Sequence, residues 1–76
     1  MILDELKDIL SDQLDIDKNE IEITSRLADD LGMDSLDVID LAMSVEDSYS
    51  IEMPDSAIIK MKTVEDVVVY IKSKTE

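Results

Sequence analysis

The chain has 76 residues, 45% of them hydrophobic, with no Cys, no His and a net charge of −13 from 20 acidic and 7 basic side chains. That length supports one domain with a thin core, because a chain this small buries only about 60% of its unfolded surface. The missing residues exclude disulfides, Cys-based zinc sites, Ser-His-Asp triads and Cys-His dyads, while the charge repels nucleic acid and anionic lipid and attracts basic protein surfaces.

Ile2, Leu3, Leu6, Ile9, Leu10 and Leu14 recur at three- and four-residue steps. That spacing predicts an amphipathic first helix over about residues 2–14, with Asp4, Glu5, Lys7, Asp8 and Asp12 turned to water. From Asp15 to Asp34 the period is lost, and loops of this length are usually functional or partly structured. Ile16, Ile21, Ile23, Leu27 and Leu31 read as pegs that pin this loop to the core. A turn of helix over Ser25–Leu31, closed by Gly32, is expected within it.

Asp34 suits the N-cap of a second helix, with Asp37 completing a capping-box-like pair. Val38, Leu41, Ala42, Val45 and Tyr49 share one face, which carries that helix to about residue 49. Pro54-Asp55 predicts a new start, with Pro in the first turn of a third helix to which Ala57, Ile58, Ile59 and Met61 give barely more than a turn or two. Thr63 and Asp66 cap a fourth helix, whose buried stripe is Val64, Val67, Val68 and Ile71. The fold class expected is all-α, a four-helix bundle with three longer helices, one short third helix and a long loop between the first two, forming one domain over residues 1–76.

The second helix has two apolar faces. Leu36 and Met43 lie opposite the core face, seven residues apart and nearly in line, with Asp40 and Asp47 beside them and Asp37, Ile39 and Glu46 flanking. Apolar anchors inside a charged rim are how a transient protein interface is built. Ser35 stands at the start of this helix. Serine is also favoured at helix starts for its own sake, so its position alone assigns it nothing.

The run Asp30-Leu31-Gly32-Met33-Asp34-Ser35-Leu36-Asp37 resembles the acyl carrier protein family, in which the serine of the Asp-Ser-Leu signature carries 4′-phosphopantetheine through a phosphodiester. The likeness extends over essentially the whole chain. Ile51-Glu52-Met53-Pro54-Asp55 resembles the approach to the family's third helix, and Thr63-Val64 with Tyr70-Ile71 resembles its fourth. The resemblance implies a carrier and not an enzyme, loaded at Ser35 with an arm taken from coenzyme A and holding acyl intermediates as thioesters in fatty acid, polyketide or specialised lipid biosynthesis. It implies that Asp34, Leu36, Asp37, Ile39, Asp40, Met43, Glu46 and Asp47 meet the basic surfaces of a phosphopantetheinyl transferase and of acyl-processing synthase enzymes. It implies that Leu27, Ala42, Val45, Met53, Ile58, Met61, Val67 and Tyr70 line a cavity for the acyl chain. The chain departs from the family at Leu27 and Tyr49, usually Phe, and at Ser48, often an acid.

The chemistry of the residues agrees. Thioester transfer needs a thiol that this chain lacks, so a prosthetic group must supply it. Ser35 has no basic neighbour in sequence, so a separate transferase must activate its hydroxyl. An attached phosphate would sit near a helix N-terminus, where dipole and free amides favour an anion.

Other readings fit less of the chain. Asp15-Ile16-Asp17-Lys18-Asn19 begins like an EF-hand loop, but Glu20 stands where Gly is needed and Arg26 where the bidentate Glu is needed. A non-carrier acidic interaction module would need no Ser35. Aminoacyl or peptidyl carriers usually have Gly-Gly-His or a similar polar run before the serine, and D-alanyl carriers as a rule lack this Leu-Asp after it. No apolar run approaches the roughly 18 residues of a membrane span, and the start is acidic, unlike a signal peptide. The expectation is a monomeric cytoplasmic protein with no metal, no membrane insertion and no nucleic-acid partner.

Overall fold

Four α-helices carry the chain: α1 (Ile2–Leu14), α2 (Ser35–Tyr49), α3 (Asp55–Ile58) and α4 (Val64–Thr75), with a 3₁₀ turn at Lys18–Glu20. The computed structural model describes residues 1–76. The expected bundle of three longer helices and one short third helix is the observed one, with α1 packed on α2 and α4, and α3 on α2, although α3 ends at Ile58, before the Ile59 and Met61 expected in it. Leu6 and Leu10 from α1, Leu41, Ala42 and Val45 from α2, and Val64, Val67, Val68 and Ile71 from α4 meet in one aliphatic core. These are the residues that three- and four-residue spacing puts on one helix face. The radius of gyration is 11.1 Å, close to the roughly 11 Å of a fully packed domain of this length.

Local chemistry sets the helix ends. The Asp34 carboxylate caps α2 and the Thr63 hydroxyl caps α4, each reciprocated by an acid three residues on, Asp37 and Asp66. Such pairs use amides that the helix itself cannot satisfy. α3 starts one residue later than expected: Pro54 is its N-cap, outside the first turn, and its carbonyl accepts the Ala57 and Ile58 N–H groups at 2.9 and 3.0 Å.

The long connection departs further from the expectation. Ile21 and Leu27 are fully buried, and Ile16 and Leu31 pack against the core. Ile23 is no peg, since its side chain is 39% exposed and the segment is held there by its backbone carbonyl, which accepts the Glu65 N–H at 3.0 Å. Ser25–Leu31 is not a helical turn throughout. Arg26 forms an antiparallel bridge with Thr63, the Leu27 N–H donates to the Lys62 carbonyl at 2.9 Å, and the Val64 N–H donates to Ser25 at 3.0 Å. This pairing ties residues 25–27 to residues 62–64, and helix-like bonds begin only with Asp30 to Arg26 and Gly32 to Ala28. Gly32 closes the turn at φ +69°, a conformation that costs glycine little. The 3₁₀ turn carries its own capping box, Asp17 with Glu20, so Asp17, one of the acids that resemble the start of a calcium loop, is used to hold backbone.

Two tyrosine hydroxyls tie the elements together. Tyr70 donates to the Glu52 carbonyl at 2.7 Å, and Tyr49 donates to Glu5 Oε1 at 2.7 Å, joining the end of α2 to the start of α1. Partial burial, with the Glu5 carboxylate beside it, pushes the Tyr49 hydroxyl up from 10.0 to about 12. The unfolded chain therefore loses this proton first, so the contribution is whole below pH 10 and disappears as pH rises toward about 12. Tyr49→Phe should flatten that alkaline loss, measured as denaturant midpoint against pH.

Lys18 pairs with Asp8, and Arg26 with Asp29 and Asp30; the other five cations make no ion pair. Most of the 20 carboxylates are thus uncompensated on a body only 27 × 25 × 19 Å. The screening length falls from about 30 Å at 0.01 M salt to about 3 Å at 1 M, so carboxylates repel one another across the whole body at low salt and only as near neighbours at high salt. The melting temperature should rise by several degrees across that range, each kcal/mol relieved being worth about 4–8 °C. A flat or falling salt series in thermal denaturation would contradict this.

Candidate functional site at the start of α2

Met33 is buried and its N–H donates to the Leu27 carbonyl at 3.0 Å, which fixes the chain just before α2. Asp34 Oδ1 then accepts the Asp37 N–H at 2.9 Å, and Asp37 Oδ2 accepts the Asp34 N–H at 3.1 Å. Behind them, Gln13 Nε2 of α1 donates to the Asp37 carbonyl at 2.8 Å. Between these fastenings Ser35 is exposed, and its hydroxyl makes no hydrogen bond within the protein. The Ser35 and Leu36 N–H groups are likewise without an intramolecular acceptor, whereas those of Asp37 and Val38 are used by Asp34. A free hydroxyl beside two free amides at the positive end of a fifteen-residue helix suits a phosphate ester, because dipole and donors both favour an anion there.

An apolar cleft of about 500 Å³ opens directly beside Ser35, within the size range of small-molecule sites. Leu27, Ala28 and Met33 form one wall, Val38 and Ile39 of α2 a second, and Ile58, Ile59 and Met61 a third, with Asp34, Ser35 and Lys62 at its polar edge. Of the eight residues expected around an acyl chain, Leu27, Ile58 and Met61 line this cleft. Ala42, Val45, Met53 and Val67 are packed in the closed core, and Tyr70 is half-buried with its hydroxyl on Glu52. Met33, Ala28, Val38, Ile39 and Ile59 are cleft residues that the sequence reading did not place there. Their signal was proximity to the serine and to α3, which becomes readable only once the third helix is docked.

The outer face of α2 is apolar and acidic together. Leu36 is 71% exposed, Met43 59% and Ile39 41%, and Asp34, Asp40 and Asp47 lie exposed beside them. Neither Asp40 nor Asp47 forms an ion pair. Asp37 and Glu46 differ from the rest of this set. Both are half-buried, Asp37 turned back into the cap and Glu46 accepting the Met53 N–H at 2.7 Å, which staples α2 to the segment before α3. In the loop ahead of the site, Asp30 accepts both the Arg26 N–H at 2.7 Å and its guanidinium. These contacts, the backbone donor first, hold the Asp30 carboxyl below its usual range.

The residues present thus fit a covalent phosphopantetheine arm: a free hydroxyl, spare amide donors and an apolar channel meet at one place. Comparison with known proteins points the same way. A family model for the phosphopantetheine attachment site matches residues 4–71. The acyl carrier protein of Clostridium acetobutylicum is 50% identical over 76 residues, 100% of this chain and 99% of its own. That of Helicobacter hepaticus is 47% identical over 68 residues, 90% of each chain, and that of Clostridium perfringens 44% over 75 residues, 99% of each.

Proposed function

The chain belongs to the acyl carrier protein family, and we propose that Ser35 is where its prosthetic arm is attached. Members of this family are carriers and not enzymes, and their covalent 4′-phosphopantetheine supplies the thiol on which acyl groups travel as thioesters. The observation that supports Ser35 is its unengaged hydroxyl at the tip of α2, beside two free amides and the mouth of an apolar cleft.

In the loading step the Ser35 Oγ attacks the phosphorus of coenzyme A that bears the pantetheine. A new P–O bond forms, the bond to the nucleotide phosphate breaks, adenosine 3′,5′-bisphosphate leaves, and the hydroxyl proton passes to a base of the transferase. This chain has no His and places no basic side chain against the hydroxyl by hydrogen bond, so activation is the partner's task. The chain's own part is to present and steer. The capping box and the Gln13 contact hold the hydroxyl still, unpaired Asp40 and Asp47 draw basic enzyme surfaces in, and Leu36, Ile39 and Met43 seat in their pockets. The cleft formed with α3 shelters the acyl chain near its attachment point.

The pathway proposed is fatty acid biosynthesis. The whole chain serves as one monomeric carrier domain in the cytoplasm. Incubation with coenzyme A and a broad-specificity phosphopantetheinyl transferase, followed by intact mass measurement, should show a single pantetheinyl addition. An unchanged mass would refute the carrier reading. Acyl chains recovered from the protein purified from its source should be straight-chain fatty acyl groups, and polyketide intermediates there would replace the pathway.

A further inference from the structure

Lys62 is the one cation at the edge of the cleft that holds Ser35. Its backbone is fixed from both sides: the Lys62 carbonyl accepts the Leu27 N–H at 2.9 Å, and its own N–H donates to Asp66 Oδ2 at 2.8 Å. The adjoining residue, Thr63, makes the bridge to Arg26. The side chain, by contrast, is free. Like four other lysines, Lys62 makes no ion pair, and its ammonium makes no hydrogen bond; what sets it apart is its place at the edge of the cleft. An unpaired lysine anchored at its Cα and facing an apolar cleft beside a phosphorylatable hydroxyl is placed to meet an anion.

The anion would otherwise be poorly compensated. A phosphodiester on Ser35 puts a full negative charge next to Asp34 and two residues from Asp37, in a molecule already at −13. Two free amides and the helix dipole offset part of this, and no cation on α2 can help, because α2 contains none. Lysine reaches a phosphate as a compact point charge on a flexible stem, without needing a fixed fork geometry.

We propose that Lys62 is the positioning residue of the prosthetic arm: its ammonium pairs with the phosphodiester on Ser35 and turns the arm toward the cleft wall of Ile58 and Met61. This rests on Ser35 being the attachment site. The pair is solvent-exposed and therefore modest, enough to bias the arm's position about two- to fivefold and to be erased by salt.

The test is nuclear magnetic resonance on the loaded protein, after intact mass has shown loading, comparing wild type with Lys62→Gln and, as control, Lys60→Gln, which alters an exposed lysine of the same segment outside the cleft. Expected are a Lys62 side-chain Cε shift between the apo and loaded forms, a ³¹P resonance displaced in Lys62→Gln and unmoved in Lys60→Gln, and a wild-type resonance that moves to the Lys62→Gln position in high salt. If Lys62→Gln leaves the phosphorus resonance at the wild-type position, or Lys60→Gln displaces it equally, the inference is overturned while the carrier reading stands. If no pantetheinyl mass is gained at all, both fall together.

Discussion

Ser35→Ala should fold like the wild type and accept no phosphopantetheine. The two halves of that result are separable because the serine has no structural duty. Its hydroxyl bonds to nothing in the protein, the cap of α2 belongs to Asp34, and alanine is a better helix former at the first helical position. Stability should stay within about 0.5 kcal/mol of wild type, as for surface changes away from caps and core. Loading falls to nothing, since the tip of α2 carries no other hydroxyl to which the phosphorus could be transferred. Asp34→Ala is the informative contrast. It removes the cap, costs about 1 kcal/mol, and slows loading without abolishing it. Intact mass and thermal denaturation on the three proteins read both quantities. Pantetheinyl mass on Ser35→Ala would move the attachment site elsewhere and remove the basis for everything assigned to the cleft.

The same substitution, Leu to Ala, should have opposite consequences five residues apart on α2. Leu41 is 2% exposed, at the centre of the core, while Leu36 is 71% exposed. Leu41→Ala removes buried contacts and leaves a cavity, at about 2–5 kcal/mol. A domain of this size has only about 4–11 kcal/mol in total. The expected outcome is a melting temperature about 15 °C lower, and unfolding outright at low salt, where carboxylate repulsion has already spent part of the margin. Leu36→Ala should leave the melting temperature where it is and weaken binding to a partner enzyme about tenfold, the loss typical of an interface anchor. Equal melting temperatures for the two variants would show that α2 does not present the faces described here.

The elements that were legible in the sequence are those whose information lies within four residues. The apolar spacing of α1, α2 and α4, the caps Asp34/Asp37 and Thr63/Asp66, and the exposed strip of Leu36 and Met43 are all consequences of a helix turning once every 3.6 residues. The Asp17/Glu20 box follows the same rule, but the sequence reading took Asp17 only as part of a cation-loop resemblance. Serine at the head of an acidic helix was equally visible, and the absence of Cys and His showed that any thiol or base for its chemistry must come from outside the chain.

What only three dimensions decided are the features made by backbone or by distant partners. Residues 25–27 pair with 62–64 through amides and carbonyls that every residue carries, so no side chain announces the bond. Glu46 looked like one more acid on the outer face, yet it turns inward because the Met53 N–H needs an acceptor there. Ala42, Val45, Met53 and Val67 share the apolar character of cleft residues, but they fill the closed core, and the opening beside Ser35 is walled by residues from four separate segments. Hydrophobicity in a sequence says that a side chain leaves water; which surface it leaves water against is set by how helices dock, and that is a property of the whole chain.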